Sequence, residues 1–170
     1  TFFKDLTNLQ QIQTENSGDQ DTTKFNQWIV RSSFSTAKDS VKANYEIGID
    51  VNVEEAFGRR IENKSQTMAD YAGFASVEYK PFKNTIIRPG VRYAYNTNYK
   101  APVTPSINLK QTIGKFNLRA SYARGFRAPS LKELYFDFVD INHNIVGNSE
   151  LKSEYSNNIN LSSNYTKVKN

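Results

Sequence analysis

The chain has 170 residues, 22 Lys and Arg against 17 Asp and Glu, one His, no Cys and a formal net charge of +5, which is room for one ordinary domain. Without Cys there is no disulfide scaffold, thiolate metal site or cysteine nucleophile, and an aromatic share of 13% is too high for a plain disordered polar segment. The cations are scattered, with no block denser than Gly58-Arg59-Arg60 and the run from Lys80 to Lys83, so the charge pattern does not read as a nucleic-acid footprint.

In chain order, the first 23 residues are open between an outer loop and partial strand, with a brief helical turn from Asp5 to Gln13 as a further reading. They contain no initiator Met and no basic-then-apolar leader, so the chain is expected to begin within a longer protein or after processing. Nowhere does an apolar run approach the roughly 18 residues of a spanning helix. From Phe25 to Phe34, with Trp28 and Val30, a first strand is plausible but irregular. From Val41 to Val53 the odd positions hold Val41, Ala43, Tyr45, Ile47, Ile49, Val51 and Val53, and the even ones hold Lys42, Asn44, Glu46, Gly48, Asp50 and Asn52. Period two sustained this long predicts a strand of about 43 Å at ~3.3 Å per residue. The usual strand of a soluble sheet is roughly 5 to 6 residues.

The alternation recurs at Tyr71 to Tyr79, Ile87 to Tyr95, Ile107 to Leu109, Phe116 to Tyr122 and Tyr155 to Tyr165, which makes seven expected strands and no convincing helix. Short connections are expected at Thr36 to Ser40, Lys80 to Asn84 and Thr112 to Lys115, where Asp39, Pro81, Asn84 and Gly114 supply turn chemistry. Long ones are expected at Glu54 to Asp70, Asn96 to Pro102 and Ala123 to Glu154. Tight turns at one end and large loops at the other are the asymmetry of outer-membrane β-barrels. Within the apolar phase, Tyr71, Tyr95, Tyr122 and Tyr155 fall near the long-loop ends and Tyr79, Phe116 and Tyr165 near the short turns, as two aromatic girdles require. The opposite phase carries Glu46, Asp50, Glu78, Arg88, Arg92, Asn108, Lys110 and Arg119, which suits a hydrated or plugged lumen. The fold class expected is therefore all-β: an antiparallel up-and-down meander of about seven long strands, cut from a larger transmembrane barrel. Two alternatives stay open. One is a soluble small-ligand-binding barrel or sandwich, in which Ile47, Ile49, Val91 and Leu118 would converge in one dry core. The other is a surface adhesin.

The stretch after Ala123 leaves the alternation. It contains Gly125-Phe126-Arg127-Ala128-Pro129-Ser130, followed by Glu133-Leu134-Tyr135, and then Gly147-Asn148-Ser149-Glu150-Leu151-Lys152-Ser153-Glu154-Tyr155-Ser156. Pro129 disfavours helix at Ala128, and Ser130 with Glu133 at the capping-box position predicts a short helical turn through Phe136. Phe126, Leu131, Leu134, Tyr135 and Phe136 would pack that turn against the rim, so a folded-back loop is preferred to direct ligand contact. These two boxes resemble signatures of TonB-dependent outer-membrane receptors, Gly-Phe-Arg-Ala-Pro-Ser with Glu-Leu-Tyr, and Gly-Asn-Pro-x-Leu-x-x-Glu-x-Ser. Position 149 departs from the second, with Ser in place of Pro. Tyr71-Ala72-Gly73-Phe74, Arg88 to Tyr93 and Pro105 to Lys110 resemble barrel strands of the same family, and the resemblance covers roughly residues 41 to 165.

The resemblance implies a plugged barrel of the 22-stranded type in the outer membrane of a Gram-negative bacterium. Such a receptor imports a ferric siderophore, haem or cobalamin with energy delivered through the TonB complex. The 170 residues would be a single barrel segment with the plug domain absent, surrounded by outer-membrane lipid and able to self-associate through open strand edges. His143 lies between the two boxes, where haem-uptake members place a haem-ligating His; it is the one metal-ligand candidate, and only for a haem ligand. The bland reading is a solvated loop imidazole. Arg127, Arg124 and Tyr135 are further candidates for ligand contact. No resident cofactor and no catalytic residue is expected: no Gly-rich phosphate loop or nucleophile elbow is present, and adjacent Glu54 and Glu55 would point to opposite faces of an extended chain.

Overall fold

Strands that each keep one apolar face can satisfy their backbone groups only by pairing side by side. In the computed structural model, which describes residues 3–8, 22–36, 41–139 and 141–166, they form one antiparallel sheet. Its strands are β1 (Phe3–Asn8), β2 (Lys24–Ser35), β3 (Ala43–Phe57), β4 (Ser65–Phe82), β5 (Thr85–Asn96), β6 (Thr104–Ile113) and β7 (Phe116–Arg127), closed off by β10 (Glu154–Tyr165) in the order of the chain. The connection from β7 to β10 holds a helix, α1 (Leu131–Tyr135), and a small hairpin of β8 (Phe138–Val139) with β9 (Asn144–Ile145). All seven expected strands are in place as a meander. An eighth, β1, is added at one edge: residues 5–8 are strand rather than helical turn, and residues 9–13 lie outside those described.

The strands are long. At 12 residues in β2, β5, β7 and β10, 15 in β3 and 18 in β4, they exceed the ~9–11 residues a tilted membrane-crossing strand needs. β3 and β4 overrun their apolar stretches, pairing from Val53 with Ala69 out to Phe57 with Ser65. The long connection expected at Glu54 to Asp70 therefore shrinks to residues 58–64. β7 likewise runs on to Arg127, leaving residues 128–153. The asymmetry between the ends holds nonetheless. Residues 83–84 and 114–115 make two-residue turns, the second using Gly114 at φ +57°, while residues 58–64, 97–103 and 128–153 crowd the opposite end.

Register brings the apolar phases together. Phe34 pairs with Ile47, Ile47 with Ala75 and Ala75 with Val91; further along, Ile87 pairs with Leu109, Leu109 with Ala120 and Ala120 with Leu161. The β4–β5 pairing lapses between Ser76/Gly90 and Tyr79/Ile87, where Pro89 brings no N–H to the ladder. On the other face, Gly48 stands opposite Phe74, whose ring covers it so closely that a Cβ there would overlap. Residues of the polar phase from β2, such as Arg31, through to Gly125 of β7 bound one cleft, so the sheet curls toward its polar side.

The apolar side is therefore convex, and it is bare. Ile47, Ile49, Val91 and Leu118 are 52%, 55%, 46% and 40% exposed, so they form no dry core. The small buried cluster, Ala56, Ile61, Met68, Leu131 and Phe136, sits instead at the long-loop end. A charge on the convex face has no such shelter from hydrocarbon. In lipid vesicles, Ile49→Arg in the intact parent protein should lower folding stability in denaturant titrations by about 2–4 kcal/mol. Glu46→Arg, three residues away but in the concave phase, should change it by less than about 1 kcal/mol.

Candidate functional site

The loop after β7 is built from its capping box. Ser130 sits at the N-cap with extended backbone, its hydroxyl accepts from the Glu133 N–H, and Glu133 reaches back to the Ser130 N–H. Glu133 has a second task. Its two carboxylate oxygens accept from Arg127 at 2.6 and 2.8 Å, and the same guanidinium reaches Glu154 at 3.3 Å. The Arg127 hydrogen bonds first, and the Ser130 N–H second, hold the Glu133 carboxyl down at about 2. Leu131 and Leu134, on the buried side of α1, are almost wholly enclosed, and Phe136 meets Phe25 edge-on at 5.9 Å between ring centroids.

The second box closes over the first. Asn148 N–H donates to the Glu133 carbonyl at 3.0 Å, Gly147 N–H donates to Asp137 at 2.9 Å, and the Asn148 side chain accepts from the Glu150 N–H. A Cβ on Gly147 would meet the Leu134 carbonyl oxygen at 2.7 Å and the Phe136 nitrogen at 2.8 Å, so the close approach of the two segments requires glycine. The β5–β6 loop joins in. Burial first, then Tyr135, pushes the Tyr99 phenol up, and that phenol donates to the Leu151 carbonyl at 3.0 Å. Opposite, Asp137 N–H donates to the Arg60 carbonyl, and Ile61 bridges to Phe136. All three long connections are thus fastened into one cap over the polar face.

The cap explains where the candidate residues lie. Arg127 and Glu133 form its ion-paired latch; Leu134 is core, Ala128 and Tyr135 pack beside it, and Gly147, Asn148 and Leu151 fasten it. Gly125 pairs with Ser156 and Phe126 with Tyr155 across β7 and β10. Arg124 places its guanidinium 5.7 Å from the centre of the Tyr155 ring, and Phe126 lies 5.7 Å from the same ring. His143 is exposed on the β8–β9 hairpin, its ring 4.9 Å from Phe138, which also carries the Arg60 guanidinium at 4.0 Å. It does not line the cleft.

Below the cap, the polar face holds a cleft of about 470 Å³ organised by charge pairs. Arg31 meets Asp50 at 2.7 Å, while Arg92 spans Asp50 at 3.3 Å and Asp70 at 2.9 Å. Gln27 donates to Asn52 at 2.9 Å beside them. Asp50 and Arg92 belong to the charged phase legible in the sequence. Asp70 was not legible as their partner because the alternation places it in a connection, and Gln27, Asn96 and Tyr99 carry no local signal at all. Among the described residues no three His, Asp or Glu side chains gather as a metal site. What the cleft offers chemically is a set of hydrogen-bonding and charged side chains.

Comparisons with known proteins agree with this geometry. The family model described as TonB dependent receptor-like, beta-barrel, matches residues 2–169. The fold is similar to the siderophore receptor PirA from Pseudomonas aeruginosa, at TM-score 0.75 and 20% identity over 86% of this chain and 29% of that one. It is also similar to the ferric enterobactin receptor PfeA from the same organism, at TM-score 0.70 and 17% identity over 86% of this chain and 25% of that one. The chain thus spans less than a third of the length of these structures. Comparison with curated protein sequences found no match.

The latch has a pH signature. The folded Glu133 carboxyl titrates at about 2, below its ordinary value of 4.5, so its contribution is fully present above that ordinary value and is lost as pH falls through 2. Hydrogen exchange of the Leu131 to Phe136 amides, corrected for intrinsic rates, should show protection falling across that window. Glu133→Gln should lower protection at neutral pH and flatten the acid dependence. Gly147→Ala should loosen the same amides by about 1–3 kcal/mol.

Proposed function

The chain belongs to the TonB-dependent receptor β-barrel family, and from that membership we propose that it forms part of the wall of an outer-membrane receptor. That receptor binds and imports a scarce nutrient, a ferric siderophore, haem or cobalamin, with energy delivered through TonB. One observation carries the membrane half of this reading: large apolar side chains stand exposed along every described strand from β2 to β10 on one face, while ion pairs occupy the other. A soluble sheet would have those faces reversed with respect to solvent.

The ligand half draws on what the neighbouring structures bind. An iron chelate is the favoured cargo, because PirA is a siderophore receptor and PfeA a ferric enterobactin receptor. The chain supplies a barrel segment; its two edge strands, β1 and β10, lie at opposite ends of the sheet order and are free to pair with further strands of the parent or with a second copy. Arg124 and Arg127 at the end of β7 and Tyr135 on α1 are the side chains this reading puts in reach of the ligand. Haem is the second reading, and His143, exposed between the two boxes, is what favours it.

Cells producing the intact receptor should accumulate a labelled ferric siderophore in an outer-membrane- and TonB-dependent manner. Uptake of no ferric chelate, haem or cobalamin, or uptake indifferent to loss of TonB, would sink the assignment. For the haem reading, absorption spectra of the intact receptor titrated with haem should lose their Soret shift on His143→Ala; an unchanged band and affinity removes His143 as a ligand.

A further inference from the structure

The two ends of the sheet differ in charge as well as in loop length. The stretches of sequence that link or follow strands on the short-turn side, residues 36–42, 80–84, 112–115 and 166–170, carry seven Lys, no Arg and a single acid, Asp39. The long connections, residues 58–64, 97–103 and 128–153, carry six Lys or Arg against five Asp or Glu. Two of the short-turn lysines, Lys83 and Lys115, stand exposed in the two-residue turns. Those turns are neighbours: the Asn84 carbonyl accepts from the Thr112 N–H at 2.8 Å, and the Thr166 N–H after β10 donates to the Lys115 carbonyl at 2.9 Å. No carboxylate among the described residues pairs with either lysine, and Glu78, further up β4, is held by Arg88 and Lys80.

On the convex face beside these turns the apolar phase turns polar. Thr85 pairs with Gln111 across β5 and β6, and its hydroxyl donates to the Gln111 side-chain oxygen at 2.7 Å. Phe82, Ile113 and Phe116 stand exposed around them. An open groove of about 460 Å³ leads away, with Gln111 and Ser163 toward the short turns and Leu109, Ala120 and Leu161 one pair further from them. We propose that this corner of the convex face seats one phospholipid of net negative headgroup, its phosphate on Lys83 and Lys115 and an acyl chain in the groove. Each ammonium is a compact charge on a flexible stem with three donors for phosphate oxygens, and the Gln111 amide adds a donor at the depth where acyl chain gives way to headgroup. Rings at that depth suit a membrane interface. A zwitterionic headgroup brings its own cation and gains less from two lysines. The proposal rests on the convex face being the lipid side of the receptor wall. It lies outside the barrel, away from any interior domain, and every strand and turn that builds it belongs to this chain.

The test uses the intact receptor, purified in detergent, stripped of lipid and followed by native mass spectrometry with added phosphatidylglycerol or phosphatidylcholine. Wild type should retain phosphatidylglycerol about tenfold more strongly than phosphatidylcholine, as two lysines beside an anionic headgroup imply. K83Q/K115Q should erase that preference and K83R/K115R should keep it, while K100Q/K152Q, in the long connections, should leave it unchanged. A120F, which fills the groove and alters no charge, should weaken retention of both lipids alike. Equal retention of the two lipids by wild type, or an undiminished preference in K83Q/K115Q, overturns the headgroup site, and unchanged retention in A120F overturns the acyl seat. Uptake measured in parallel separates this site from the receptor assignment. Phosphatidylglycerol preference without any energised uptake sinks the assignment and leaves the site standing; uptake without the preference sinks the site alone.

Discussion

One constraint governs this structure: every strand must turn its apolar phase to the same side. A strand's side-chain period is two, so a slip of one residue in any pairing would move its greasy residues to the charged face and its charges to the greasy one. The observed registers, Ile47 against Ala75 and Leu109 against Ala120 among them, keep the phases aligned across the six ladders from β2 to β10. In water such alignment would be a liability, since soluble monomers rarely expose contiguous apolar patches beyond a few hundred Å². In a bilayer it becomes the stable arrangement, with backbone groups satisfied strand to strand and aliphatic side chains facing acyl chains. Tyr and Phe at both ends of the belt, Tyr71 and Tyr95 paired at one and Phe116 with Tyr165 at the other, then meet the two interfaces.

The second organising feature is the cap, and it gives the family's motif residues a physical reason. A capping box ordinarily satisfies two orphan N–H groups of a helix. Here Glu133 also receives Arg127 from the end of β7, and Arg127 receives Glu154 from the start of β10. One carboxylate therefore ties the helix to both strands that flank the loop. Leu131, Leu134 and Phe136 fill the space this closure makes against Ala56, Ile61 and Met68. An isolated helix of five residues would not persist in water; this one exists because its apolar side is the floor of the cap. Residues that form the family signature in the sequence are, in this fold, mostly what holds the three long connections together.

How far the sequence could be read follows from the range of the interactions involved. Strand phases and the capping box are local, set within a few residues, and both were legible: Ala43 to Val53, two residues short of the expected start at Val41, and Ser130 with Glu133 stand as the alternation and spacing require. Strand ends were not. β3 continues through Glu54 and Glu55 to Phe57, and β4 begins at Ser65, because ladder hydrogen bonds persist after the strands leave the apolar zone and the alternation fades. The β8–β9 hairpin has two residues to a strand, too few for any period. Asp70 with Arg92 and Tyr99 with Leu151 join residues 22 and 52 apart, and no local pattern announces such pairs.

Sheet geometry also explains which luminal charges are compensated. Most paired acids of the described strands lie on β3 and β4, with Asp50, Asp70 and Glu78, beside Glu154 on β10; most cations lie on β2, β5, β6 and β7, beside Lys80 on β4. Neighbouring strands are ~4.8 Å apart, so a side chain reaches an adjacent strand, or one beyond it when one partner is as long as Arg. Arg31 on β2 and Arg88 on β5 are each one strand from an acid and pair at 2.7 Å, and Arg92 on β5 reaches both β4 and β3. Lys110 is two strand spacings from β4 and Arg119 three, roughly 10 and 14 Å. Both exceed the ~8 Å screening length of physiological salt. The order of strands in the meander therefore sets Lys110 and Arg119 farther from these acids than Arg31, Arg88 and Arg92 are.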